Sequence, residues 1–245
     1  MSRFNVKPYC RFFFLIFLSG FLAACISGSN YAPVLAVARP PNAKSNLYRV
    51  KQGDTLYSIA WAFGMDYRAL AATNHLKSPY NIRAGQTLRI ATAPRPQAKK
   101  TRSLRVEPPA KKQPTYVIQW SATTAPHWRW PVRGRVIARF SATRGGNKGI
   151  NIAGRYGAPI RAAAKGIVVY SGAGVRGYGN LIIVKHNTNY LSAYAFNKRL
   201  LVKEGARVRA GQKIAEMGRD DSGKVMLHFE IRWNGKPVNP AKYLE

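Results

Sequence analysis

Acidic residues are scarce in this chain. Nine Asp and Glu stand against 40 Lys and Arg in 245 residues, for a formal net charge of +31. Such an imbalance excludes a neutral, evenly charged surface and points to an anionic partner: nucleic acid, a lipid surface or an acidic polymer. Cysteine is nearly absent, with two in the chain, which excludes a disulfide-stapled framework. The apolar run at residues 12–24 is thirteen residues long, too short to span a bilayer comfortably. No nucleic-acid-binding motif is present, so charge alone does not make nucleic acid the partner. Apolar content is ordinary at 46%, and the length allows one to two domains.

The thirteen-residue run has the layout of an export signal. Arg3, Lys7 and Arg11 precede it, and Leu22-Ala23-Ala24-Cys25 closes it. A basic start, an apolar middle and small residues before the end are a secretory leader. Small residues directly before a Cys resemble the bacterial lipobox, which implies cleavage after residue 24 and acylation of Cys25. More than one acyl chain gives a stable membrane anchor. Ile26 in place of Asp implies, by the same resemblance, export to the outer membrane, with the protein facing the periplasm. Cys10 leaves with the leader, so the mature chain keeps one Cys, consumed by lipid. Loss of the three leader cations takes the net charge from +31 to +28. Residues 25–46 carry Gly, Ser, Asn and Pro without periodic pattern and read as a tether.

Residues 47–90 form a self-contained pattern. Tyr48, Arg49 and Val50 suit a short strand. Asp54 or Thr55 caps a helix whose Leu56, Ile59, Ala60 and Phe63 recur at helical spacing. Gly64 ends it, a second helix follows over residues 67–74, and a strand closes at residues 87–90. The β-α-α-β order, with Gly53-Asp54-Thr55-Leu56, Leu70, Asn74, Ile82, Gly85-Gln86 and Leu88, resembles a LysM module. The resemblance implies binding of N-acetylglucosamine-containing glycan, here peptidoglycan. The implied sugar-binding loops hold Gly53, Asp54, Thr55 and Leu56 on one side and Ser78, Pro79, Tyr80, Asn81 and Ile82 on the other. His75 reads as a surface residue at a helix end.

Residues 91–127 change character. Between 91 and 126 there are seven Lys and Arg, one acid (Glu107) and six prolines, too little apolar surface to fold alone. This is a basic, Pro-rich linker. Its apolar island at residues 116–120 could dock on a neighbouring surface. His127 sits at the linker edge and receives no role.

Residues 128–245 read as short β-branched segments between glycine turns, at 134–140, 166–170, 180–186, 190–195 and 227–233. Period-two alternation with almost no helical pattern argues a β-sandwich or a folded antiparallel sheet. Asn147-Lys148-Gly149-Ile150-Asn151, Tyr194-Ala195-Phe196 and Met226-Leu227-His228, together with Gly157-Ala158-Pro159, Gly177-Tyr178-Gly179-Asn180 and Gly211-Gln212, resemble the lysostaphin-like, LytM-type zinc endopeptidases. In that family the three pieces read His-x-x-x-Asp, Tyr-Ala-His and His-x-His. The resemblance places Asn147 and Asn151 at two metal-ligand positions and His228 at the third. It places Phe196 and Met226 at two catalytic histidines. It also makes His186 a structural residue on a strand facing the groove.

Those replacements remove the chemistry. A catalytic zinc takes three protein ligands and an open water position. One imidazole beside two neutral amides leaves too little ligand charge to offset metal desolvation. Phe196 and Met226 carry no protons for acid–base work. The expectation is a peptidase fold that is not an enzyme and needs no metal or other cofactor.

Lipobox, LysM and degenerate LytM domain in that order resemble the amidase-activating lipoproteins of Gram-negative envelopes, the NlpD and ActS type. The resemblance implies activation of periplasmic N-acetylmuramoyl-L-alanine amidases in cell-wall remodelling or daughter-cell separation. The degenerate groove would bind an amidase helix in one of two states, with Phe196 and Met226 providing an apolar seat. Two alternatives stay open: a zinc endopeptidase recruiting Asp220 or Asp221 as substitute ligands, and a pure tether between outer membrane and peptidoglycan.

Overall fold

The computed structural model describes residues 46–90 and 125–245. The leader with Cys25, most of the tether, and most of the linker with its island at 116–120 lie outside the described residues.

The first described segment is a strand, two helices and a strand. β1 (Leu47–Arg49) pairs antiparallel with β2 (Thr87–Arg89), Tyr48 opposite Leu88. Between them run α1 (Leu56–Ala62) and α2 (Tyr67–Thr73). Of the two possible caps for α1, Thr55 is used: its side chain accepts from Ser58 N–H, and Ser58 returns the contact to the Thr55 backbone N–H. Asp66 caps α2 and pairs with Arg68. Asn74 bonds the Leu70 carbonyl and both backbone groups of Arg89, tying the second helix to the closing strand.

The larger segment is a folded antiparallel sheet, which resolves the choice left open by the sequence. Its strands are β3 (Val136–Ala138), β4 (Ile150–Ala153), β5 (Pro159–Arg161), β6 (Gly166–Gly172), β7 (Asn180–Lys185), β8 (Tyr190–Leu200), β9 (Arg207–Val208), β10 (Lys213–Met217), β11 (Met226–Trp233) and β12 (Lys236–Val238). The central path is β3-β4-β11-β8-β7-β6-β9, with β10 on β5 and β8, and β12 on β11. A 3-10 turn at Pro240–Lys242 follows.

Alternation along the strands builds two cores. Phe229 and Ile231 of β11, Ile182 and Val184 of β7, and Tyr194 of β8 face one of them. Leu181 and Ile183, Ala193 and Ala195, and Met226 face the other. His186 corrects an expectation here. It lies just past β7 on the side of Ile182 and Val184, with its ring 4.7 Å from the Trp128 ring, and it does not face the groove. Its Nδ1 is 2.8 Å from the Lys165 carbonyl oxygen and its Nε2 is 2.7 Å from Ser192 Oγ. Burial holds it neutral, pushing its pKa down to about 4 against the weaker upward pull of the Lys165 contact.

The second core does not stop at the sheet. It is continuous with the LysM-like segment, so Leu56, Ile59, Trp61 and Leu70 belong to the same apolar cluster as Ile183, Phe196 and Met226. Arg232 crosses the boundary, donating from Nη1 to the Trp61 carbonyl at 2.9 Å with its guanidinium 3.6 Å from the Trp61 ring centroid. Thr55 Oγ1 donates to the Val169 carbonyl at 3.1 Å, and Arg68 donates to Asn189 and Asn234. The Asn234-Gly235 turn between β11 and β12 touches the LysM-like backbone so closely that a Cβ on Gly235 would sit 2.6 Å from Asp66 Cα.

Candidate functional site

Strand register assembles the three motif pieces. β11 lies between β4 and β8, so His228 faces Asn151 on one side and Ala195 on the other. Met226 is opposite Ala153. Phe196 follows Ala195, with its ring centroid 6.2 Å from that of His228. It holds φ at 61°, a left-handed conformation rare for a bulky residue. Its backbone is fixed there by bonds from Phe196 N–H to the Tyr178 carbonyl and from Gly218 N–H to the Phe196 carbonyl. Asn147 stands apart in the loop before β4. Its Nδ2 donates to the Arg139 carbonyl at 3.2 Å and its Oδ1 accepts from Gly149 N–H.

His228 is fully buried, and both ring nitrogens are engaged. Nδ1 lies 2.7 Å from Asn151 Oδ1, and Nε2 lies 3.1 Å from Glu230 Oε1. Glu230, also fully buried, accepts from Tyr178 Oη at 2.7 Å and from Arg232 Nε at 3.0 Å. Burial by itself would raise the Glu230 carboxyl. The Arg232 charge and the His228 and Tyr178 contacts outweigh it and hold the group below the ordinary carboxylate range. The Tyr178 hydroxyl is pushed up, by burial first and the Glu230 charge second, so it keeps its proton and donates. A carboxylate only accepts, so Nε2 carries a proton toward Glu230; Nδ1 is satisfied either by donating a second proton to Asn151 Oδ1 or by accepting from the amide nitrogen when the carboxamide is turned over.

Zinc does not fit this arrangement. The single imidazole at the site is held on both nitrogens, Asn147 is turned to a backbone carbonyl, and among the described residues no group of three His, Cys, Asp or Glu could hold a metal ion. A closed hydrogen-bond chain, Asn151–His228–Glu230–Tyr178 with Arg232, fills the space. The substitute ligands weighed from the sequence are engaged elsewhere or exposed to solvent. Asp220 Oδ1 accepts from Ser222 N–H, Ser222 Oγ and Lys224 N–H, organising its own turn, and Asp221 is exposed.

Glu230 and Arg232 had no place in the motif reading. Their signal was present in β11: Met226, His228, Glu230 and Arg232 alternate with Leu227, Phe229 and Ile231, putting three polar residues on one buried face. Tyr178 was visible only as part of a glycine-rich scaffold signature.

The candidate glycan loops are not wholly open. Gly53, Ser78, Pro79 and Asn81 are exposed, and Asp54, Tyr80 and Ile82 are half-buried. Leu56 departs from the sugar-contact expectation: it is in the core at 1% exposure, because it is the first apolar residue of the α1 stripe. The Thr55 side chain is occupied by capping and by Val169. Asp54 Oδ2 accepts from Tyr48 Oη and Lys51 N–H. Tyr80 packs edge-on against Tyr57 and Tyr67.

Residues 48–91 match the LysM domain and residues 145–240 match Peptidase family M23. A lipoprotein NlpD/LppB homolog of Pseudomonas aeruginosa is 43% identical, over 85% of this chain and 80% of its own length. The chain belongs to the NlpD/LppB lipoprotein family. The murein hydrolase activator NlpD of Escherichia coli K12 is 41% identical over 80% of this chain and 67% of its own length. The uncharacterized lipoprotein YgeR of the same organism is 42% identical, over 81% of each chain. This chain thus joins a LysM module to an M23-type sheet in which Asn151, His228, Glu230 and Tyr178 form one hydrogen-bonded chain.

Proposed function

We propose that this chain is a non-catalytic, lipid-anchored envelope protein that binds peptidoglycan and activates N-acetylmuramoyl-L-alanine amidases during cell-wall remodelling or daughter-cell separation. The observation that carries this reading is the pinned His228. With Asn151 on one nitrogen and Glu230 on the other, the former metal position offers no ligand set and no acid–base group. What remains at the site is a buried apolar face with Phe196 and Met226, a seat for a helix of another protein. The relatives named as murein hydrolase activators support the same direction. LysM supplies glycan contact through its exposed loop residues. The lipoprotein names, among them an outer membrane antigenic lipoprotein of Haemophilus influenzae, support acylation at Cys25 and an outer-membrane location facing the periplasm.

The test is dye release from labelled peptidoglycan by the chain alone and with each host amidase. The expected result is no release alone and stimulated release with one amidase. Release by the chain alone, abolished in His228→Ala, overturns the reading in favour of a zinc hydrolase. Silence with every amidase favours a pure tether.

A further inference from the structure

The sheet face that carries the degenerate site is not free in this structure. Helix α1 lies against it. Trp61 is 1% exposed although it falls off the Leu56–Ile59–Ala60 stripe that builds the module's own core. Its ring covers the Arg232 guanidinium. Arg232 and Tyr178 both bond Glu230, and Glu230 bonds His228. Trp61 is therefore one contact away from the chain that replaced the metal. Around it, Thr55 meets the middle of β6, and Arg68 and the Asp66 backbone meet residues at the start of β8 and the end of β11.

We infer that the LysM module is the resting occupant of the LytM groove, masking with α1 and Trp61 the face that an amidase segment takes. The inference rests on the activator reading above and adds regulation to it. A partner segment then competes with α1 for one face. The surface it meets is an apolar sheet with a buried Arg232 that accepts an aromatic ring and donates to a carbonyl. The fitting partner is a helix presenting an aromatic side chain near its C-terminal carbonyls, as α1 presents Trp61. Because the mask is part of the same chain, it competes at high effective concentration. The apparent affinity for a partner is reduced by the fraction of chains that are open.

Gly235 gives a way to open the mask without touching the site. A side chain there meets the Met65–Asp66 backbone, and φ at Gly235 is 75°, a region Asn tolerates better than other residues. Gly235→Asn should keep the β11–β12 turn and wedge the LysM module away. Hydroxyl-radical labelling of full-length chains, read at Trp61 by mass spectrometry, reports the opening directly. Wild type should be protected and Gly235→Asn labelled on the order of tenfold more, with half-maximal amidase stimulation at a correspondingly lower concentration. Trp61→Ala is the second variant, since it leaves the LytM sheet intact. In it, Met226, 3% exposed in the closed structure, should oxidise faster than in wild type. Trp61 labelled as strongly in wild type as in Gly235→Asn overturns the mask. So does equal stimulation by wild type and by a chain whose labelling shows it open. If no chain stimulates any amidase, the activator reading falls and labelling alone decides whether the module covers the groove.

Discussion

Glu230 carries the polar interior of the M23-type sheet. Its carboxylate is fully buried and accepts from Tyr178 and Arg232 while facing His228. A buried ion pair contributes little relative to an apolar replacement of both partners, but removal of one partner strands the other charge. Glu230→Gln should therefore leave Arg232 uncompensated and destabilise the sheet domain by roughly 3–5 kcal/mol. Urea unfolding of the variant checks this, and a loss below about 1 kcal/mol would mean that water already reaches the pair. At this scale the motif pieces bring Asn151, Phe196, Met226 and His228 together through strand register, while Asn147 stands apart on the Arg139 carbonyl. They did not say what surrounds His228. That answer sits two residues further along β11, where Glu230 and Arg232 read as ordinary polar residues until the strand is known to be buried on both faces.

At the scale of elements, His186 ties three strands together. It lies past the end of β7, contacts the Lys165 carbonyl that precedes β6, and meets Ser192 in β8. Burial lowers its pKa from 6.5 to about 4. The unfolded chain binds this proton more tightly, so the stabilisation is complete above pH 6.5 and lost as pH falls through that value toward 4. The shift corresponds to a loss on the order of 3 kcal/mol. Denaturant midpoints measured between pH 7 and 4 should fall for wild type and fall less for His186→Gln. Alternation made the longer strands legible: β6, β7, β8 and β11 each carry enough β-branched or aromatic residues to show a period of two. β5, β9 and β10 are held by ladder partners distant in sequence, β12 by a tight hairpin to β11, and all four are too short to show one. For α1, the helical stripe revealed the face turned to its own module. Trp61 belongs to the face turned to the sheet, and a single-module pattern carries no sign of a second partner.

Across the whole molecule, the charge of +31 suits an envelope protein working beside anionic polymers and lipid phosphates. The same chain brings together a LysM module, an M23-type sheet and a contact between the two. The domain order was legible because each module has its own turn and glycine signature. The closure was not, because Arg232 and Trp61 are 171 positions apart. The molecule as a whole stands or falls on the loss of the metal. Zinc content of the full chain, purified with zinc present and then dialysed, tests this most directly. No stoichiometric zinc is expected, with His228→Ala indistinguishable from wild type. One zinc per chain, lost in His228→Ala, would contradict it and return the site to metal chemistry.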